Sequence, residues 1–374
     1  MKKIILIVAA VIFAVVFIAV AYFITVRIFN GIVGNITNDI IGSLIGGSQE
    51  IEKKPCTTPR HQREFNSNAY YEGPLIDSHV HFPTSSTIVS SVAQQNGLEM
   101  PVLEGEISGN NLVCLFESEG ITKTFGFHIT SKFAEDSAIS TAKAIEKAYP
   151  GKIVHFLMPP PIRSLNINPS GIKRILEDNK GVFKGFGEVA LYMDGYGGVK
   201  PDDPEFKEIY KLADEHSLIV MIHPEDNQRD GVEEILREFP NVTFFFHGGR
   251  NQEWIIDLMP KYKNFYYSLD ADLISLYLDK ETNRSQKLTK EEFLTYIRGN
   301  FNSVLDNAVS RWKERITVNQ DRFTWGTDRW FAWHFDPQVS GILEEFGRSF
   351  IGRLDVSVQE NFAYRNAERM LKTP

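Results

Sequence analysis

Cysteine is almost absent: Cys56 and Cys114 are the only two in 374 residues. That excludes a disulfide scaffold or a thiolate zinc cluster and allows at most one bridge. Glycine (27) and proline (17) are too few for a collagen-like chain, and a hydrophobic content of 43% with 12% aromatics excludes a disordered one. A basic excess is missing too. At a formal charge of −8 the chain lacks the cationic surface that gives nucleic-acid binders their phosphate affinity, so no nucleic-acid partner is expected.

Charge is wholly absent from Ile4 to Val26. At about 1.5 Å rise per residue a helix of that length crosses a bilayer, and it exceeds the roughly 7–15-residue apolar core of a cleaved signal peptide. Residues 1–28 are therefore expected to form a single-pass transmembrane anchor, which makes the membrane a partner. Lys2 and Lys3 precede the span and only Arg27 follows closely. The positive-inside bias then places the remainder of the chain outside the cytoplasm. Residues 29–72, interrupted by Gly31, Gly34, Gly42, Gly46 and Gly47 and then polar, read as a linker. Residues 73–374 remain for one large domain.

Within that domain short apolar strands alternate with amphipathic helical stretches. The expected strands are 75–82, 122–129, 152–158, 182–191, 218–223, 242–247, 264–269 and 323–328. Helical spacing fills the segments between, as at 131–148, 170–179, 203–216, 230–238 and 253–262. Repeated strand–helix units mean a parallel sheet, and eight of them close into a (β/α)8 TIM barrel. An open doubly wound sheet would want a glycine-rich loop after its first strand, where Pro83-Thr84-Ser85 stands instead. The stretch 280–319 is long for a strand–helix connection. Its Phe293, Ile297, Phe301 and Leu305 suit packing better than a lid or an oligomer surface, and oligomeric state stays open.

The first strand ends Asp77-Ser78-His79-Val80-His81. Strand alternation points both imidazoles to one face, about 6.6–7 Å apart along the chain, where they can converge on one ion. Asp77 shares their parity one pleat deeper and suits an anchoring role. Four later strands also end in metal-binding types: Glu188, His223, His247 and Asp328. Barrel active sites form at the C-terminal ends of the strands. Gathering unpaired imidazoles and carboxylates there costs about 1–3 kcal/mol each unless a cation satisfies them. Four nitrogen donors with two carboxylates suit Zn²⁺, with Mn²⁺, Fe²⁺ or Co²⁺ as substitutes, as one ion or two.

In this order the residues resemble the amidohydrolase superfamily, and the strings Ile76-Asp-Ser-His-Val-His81, His247-Gly-Gly, Gly326-Thr-Asp328 and Asn366-Ala-Glu-Arg-Met-Leu371 are similar to its amidohydrolase-related (amidohydrolase 2) branch over roughly 74–371. The resemblance implies that His79, His81, His223 and Asp328 hold the principal metal. Glu188, in Gly185-Phe-Gly-Glu188, resembles the TatD-like arrangement in which a glutamate and the strand-six histidine, here His247, hold a second ion. In mononuclear relatives such as aminocarboxymuconate-semialdehyde decarboxylase that histidine assists the substrate. A bound cation acidifies water and polarises a scissile carbonyl. Asp328 would act as general base and His247 as second ligand or oxyanion stabiliser, hydrolysing an amide, ester or lactone. The alternative on the same residues is decarboxylation of an aromatic or enoic acid. Arg250, Arg329 and His334 follow the ligands and are candidate contacts for a small-molecule substrate. Asp328-Arg329-Trp330 departs from the Asp-aromatic-Pro common in the branch. His128, ending the second strand, is a further candidate for the pocket, whereas His155 and His216 read as structural.

Overall fold

A computed structural model of the chain describes residues 51–84, 101–103, 105–132, 134–248, 252–270 and 289–372. The expected anchor at 1–28 lies outside them. Among the described residues no helix is long and apolar enough to cross a membrane.

Eight strands run in chain order: β1 Leu75–His81, β2 Ile121–Ile129, β3 Ile153–Met158, β4 Phe183–Ala190, β5 Ile219–His223, β6 Thr243–Phe246, β7 Phe265–Leu269 and β8 Phe323–Trp325. Each pairs in parallel with the next. The last returns to the first: the Ser78 hydroxyl donates to the Trp325 carbonyl at 2.7 Å, and beyond it the Asp328 and His81 amides donate to the carbonyls of His79 and Arg329, each at 2.9 Å. Strand β8 stops three residues short of the expected Asp328. Asp328 has φ +50°, a left-handed conformation that no strand continues.

Alternation explains the core. Phe125, Phe127 and Ile129 on β2, Val154, Phe156 and Met158 on β3, and Met221 and Phe245 on β5 and β6 form one buried cluster. The Phe125 and Phe245 rings lie 6.4 Å apart although β2 and β6 are not sheet neighbours, so this cluster fills the barrel. The opposite faces pack against helices.

These helices are α1 Gly109–Ser118, α2 Glu135–Ala148, α3 Pro169–Asp178, α4 Pro204–His216, α5 Arg229–Glu238, α6 Gln252–Leu258, α7 Lys290–Val318, α8 Pro337–Gly352, α9 Val356–Glu360 and α10 Asn366–Lys372. Three of them begin alike. Asn168-Pro169, Asp203-Pro204 and Asp336-Pro337 each set a capping side chain, accepting an amide of the first turn, before a proline already at helical φ. Helix α7 buries Phe293, Ile297, Phe301 and Leu305, so the long connection between β7 and β8 is packed structure where it is described.

Residues 51–72, read in the sequence as linker, lie against the barrel's helices. Phe65 stacks on Phe301 with centroids 3.9 Å apart, and buried Glu345 of α8 accepts the amides of Glu64 and Phe65 at 2.7 and 2.9 Å. Cys56 and Cys114 form a disulfide that ties this segment to α1.

Candidate metal centre

Strand alternation brings His79 and His81 to one side of β1, and their rings lie 4.8 Å apart at the C-terminal mouth. Glu188 reaches the same point from β4. Gly187 before it has φ +119°, and a Cβ there would lie 2.2 Å from the Met221 carbonyl oxygen, so only glycine lets β4 approach β5 this closely. The Glu188 carboxylate faces two ways. Its Oε2 lies 3.6 Å from His79 Nε2 and 3.4 Å from His81 Nε2. Its Oε1 lies 3.0 Å from His223 Nδ1 and 2.6 Å from His247 Nε2. Asp328 completes the first side, with Oδ1 at 3.0 Å from His81 Nε2 and 3.6 Å from His79 Nε2.

The six expected ligands therefore meet, in a different grouping. Donor atoms of His79, His81 and Glu188 lie within 4.8 Å of one another, as do those of Glu188, His223 and His247 and those of His79, His247, Asp270 and Asp328, so His247 belongs to both halves of the cluster. His223 thus sits with His247 across Glu188, not in the compact group around His79 and His81.

The electrostatics ask for positive charge. Burial opposes protonation of His79, but the Asp328 and Asp270 carboxylates outweigh it and push its pKa up to about 9. Burial is likewise overridden at His247, which Glu188 and Asp270 drive well above the usual histidine value. For His81 and His223 burial prevails and the pKa falls. Glu188 is held well below the carboxylate range despite its burial, through His247 and His223. Yet His79 Nε2 is buried without a hydrogen-bond partner among the described residues. A buried imidazole nitrogen facing two carboxylates without a hydrogen bond, in a set of four imidazoles, is a donor set that suits a divalent cation.

The amidohydrolase family model matches residues 76–373. The chain belongs to the amidohydrolase family. Solved structures share its fold: an amidohydrolase from Burkholderia multivorans in a HEPES-bound form (12% identity, 81% of this chain and 100% of that one, TM-score 0.54) and a zinc-bound form (14%, 81% and 100%, 0.52). The probable 2-pyrone-4,6-dicarboxylic acid hydrolase of Acinetobacter baumannii, with citric acid bound, matches at 12% identity over 80% of this chain and 99% of that one, TM-score 0.50. No curated protein matches.

Asp270 is the amidohydrolase residue that the sequence reading missed. It follows β7 by one position, is 5% exposed, and faces His79 Nδ1 at 2.8 Å and His247 Nδ1 at 3.3 Å. A carboxylate on Nδ1 fixes the tautomer that turns Nε2 toward the metal site. Asp77 anchors as expected: it accepts the His79 amide at 3.2 Å, the Thr327 amide at 3.0 Å and the Thr327 hydroxyl at 2.6 Å. Burial lifts its pKa to about 6.

The substrate candidates fare differently. Arg250 lies outside the described residues. Arg329 is corrected: its side chain is fully buried between Glu119 and Ser340 and over the Phe116 ring, among α1 and α8, so it is no substrate clamp. His334 stays near the site, half-buried. The Trp330 amide donates to its Nδ1 at 3.0 Å, so the ring carries its proton on Nε2, and burial depresses its pKa to about 3. His128 does not reach the pocket. It is buried with Nε2 2.8 Å from His155 Nδ1, on the opposite face of β2 from Phe127. Two aromatic rings flank the ligands: Trp330 at 3.8 Å from His81 and Tyr192 at 4.0 Å from His223.

Proposed function

We propose that this amidohydrolase cleaves an amide, ester or lactone of a small molecule, using a pair of divalent cations, zinc by donor type, held on either side of Glu188. The observation that carries this reading is the Glu188 carboxylate, whose two oxygens each face a separate pair of histidines. His79, His81 and Asp328 would hold one ion, His223 and His247 the other, with Glu188 shared. When bound, a divalent cation supplies Lewis acidity that polarises a carbonyl and acidifies water.

The protein's own groups do the rest. Asp328 is the most open of the ligands, with 25% of its side chain exposed against 0–4% for His79, His81, Glu188 and His247. It is the carboxylate placed to take a proton from water and return it to a leaving group. His247 has both ring nitrogens turned to carboxylates, which favours ligation over oxyanion stabilisation. His334 offers a neutral Nε2–H donor to a substrate oxygen, while Trp330 and Tyr192 supply apolar walls. The uncharged run 4–26 supports a tether, the excess of Lys2 and Lys3 before it over Arg27 behind it supports an extracytoplasmic domain, and the Cys56–Cys114 disulfide, a bond that persists in oxidising compartments, fits that location.

Metal analysis and a substrate screen test the reading. Purified chain loaded with zinc should hold about two ions, falling to about one or none in Glu188→Gln; one ion in both proteins would reject the shared-carboxylate centre. Lactones, esters, amides and aromatic or enoic acids should then be screened beside Asp328→Asn, with turnover expected to fall by about 10²–10⁴-fold. Carbon dioxide release with no hydrolysis would replace this chemistry with the lyase alternative.

A further inference from the structure

We propose that Glu119 and Arg329, which nothing in the hydrolytic reading employs, form a positioning pair that sets the stance of Asp328 and His81. Their guanidinium–carboxylate contact is a two-pronged one, Nη2 to Oε2 at 2.6 Å and Nη1 to Oε1 at 3.3 Å, at 0% and 1% exposure. Ser340 of α8 accepts from Arg329 Nη1 at 2.5 Å and donates to Glu119 Oε1. Glu119 is anchored in turn, because its carbonyl accepts from Arg348 Nη2 at 2.6 Å. Arg348 also donates to the carbonyls of Tyr71 and Gly73 at 2.9 and 2.7 Å. The acceptor end of the pair is thus fixed to the start of β1 and to α8.

The donor end leads to the ligands. Arg329 follows Asp328, and its carbonyl accepts the His81 amide at 2.9 Å, while the Asp328 amide donates to the His79 carbonyl at the same distance. The backbone of residues 328 and 329, through the Asp328 N–H and the Arg329 carbonyl that flank their shared peptide, is therefore the stitch joining Asp328 to both β1 histidines. It leaves Asp328 left-handed at φ +50°, a conformation a non-glycine residue holds only where its surroundings impose it. The side chain that grips this stitch is Arg329. A fully buried ion pair contributes little net stability compared with apolar residues of similar size, because desolvating both charges offsets their attraction. A rigid planar fork does supply direction. Holding the Asp328 carboxylate 3.0 Å from His81 Nε2 is a use for direction.

This proposal rests on the reading of Asp328 as a metal ligand, and its test uses metal rather than turnover. The full-length protein is loaded with Co²⁺, and its visible ligand-field spectrum and Co²⁺ affinity are compared with those of the double variant Glu119→Leu/Arg329→Met, which leaves no unpaired buried charge. The double variant should keep a wild-type melting temperature to within a few degrees, bind Co²⁺ about 10–100-fold more weakly and show an altered spectrum. Glu119→Gln, which keeps the shape and weakens the grip, should show a smaller change in the same direction, and it decides the matter if the double variant does not fold. Unchanged spectrum and affinity in whichever variant folds would overturn the positioning role. Failure of the wild type to bind Co²⁺ at all would overturn the metal reading beneath it, and the two failures are distinct.

Discussion

Asp270 faces Nδ1 of His79 at 2.8 Å while its other oxygen faces Nδ1 of His247 at 3.3 Å. One carboxylate thereby orients two imidazoles whose Nε2 atoms face different oxygens of Glu188. Replacing it by asparagine puts an amide where one acceptor oxygen was, so one histidine loses its orienting partner while the volume is kept. Asp270→Asn is expected to weaken metal binding by about 10–100-fold with the fold intact. Competition titration with a chelating dye, beside circular dichroism, measures both. Wild-type affinity would show that the two histidines are oriented by other groups.

Much of this was legible because a parallel barrel writes its pattern twice, in apolar alternation along each strand and in polar residues at each strand's C-terminal end. All eight strands were expected within a few residues of where they lie, and the six residues expected as ligands share one mouth. The misses have physical causes. Asp270 stands one residue past an expected strand end, where His247 also stands relative to β6, and the rule that found the histidine would have found the aspartate. Arg329 adjoins Asp328 in sequence, but the chain has left the strand there and is left-handed at Asp328, and the Arg329 side chain turns to Glu119 and Ser340, so adjacency does not carry it into the pocket. Strand parity on β2 removes His128. Helix α1 escaped because Leu112-Val-Cys-Leu-Phe116 is a continuous apolar run that shows no period. Docking of residues 51–72 depends on Glu345, 280 positions away, and no local pattern announces it.

Gly248 sets the second half of the centre. It has φ +114°, and a Cβ there would lie 2.2 Å from His223 Nε2. Gly248→Ala must therefore push His223 away from Glu188 while leaving His79, His81 and Asp328 alone. The zinc content should fall by about one ion per chain, with a stability cost of about 1–3 kcal/mol for the left-handed backbone. Elemental analysis and a thermal melt read the two effects separately. Retention of the full metal complement would mean that His223 contributes no ligand.

The disulfide spans 58 residues of sequence, and closing a loop of that length in the unfolded chain is worth up to about 4 kcal/mol. Cys56→Ser/Cys114→Ser should therefore lower the unfolding free energy by about 2–4 kcal/mol. Guanidinium denaturation of the zinc-loaded protein, with and without reductant, measures this. Reductant should affect the wild type only. A variant as stable as the oxidised wild type would indicate that residues 57–72 hold themselves to the barrel through Phe65 and Glu345 alone.

That second fastening depends on pH in a predictable sense. His61 Nε2 lies 3.2 Å from Glu345 Oε2, and the hydrogen bond to Glu345, opposed by burial, raises the His61 pKa above 6.5. Burial would raise that of Glu345, but His61 and the amides of Glu64 and Phe65 bring it below 4.5. A raised histidine contributes stability that is fully present below its unfolded value and lost as pH climbs through its folded one. A depressed carboxylate contributes stability present above its unfolded value and lost on acidification. The clasp is thus strongest between the two unfolded values, in the window from 4.5 to 6.5. His61→Ala should cost roughly 1 kcal/mol near pH 5.5 and markedly less near pH 8.5. The quantity to measure is the wild-type-minus-variant difference in unfolding free energy at each pH, in which the titration of the metal centre cancels. A difference that grows with alkalinity would mean that His61 holds the segment through its neutral ring, by packing, and not through its charge on Glu345.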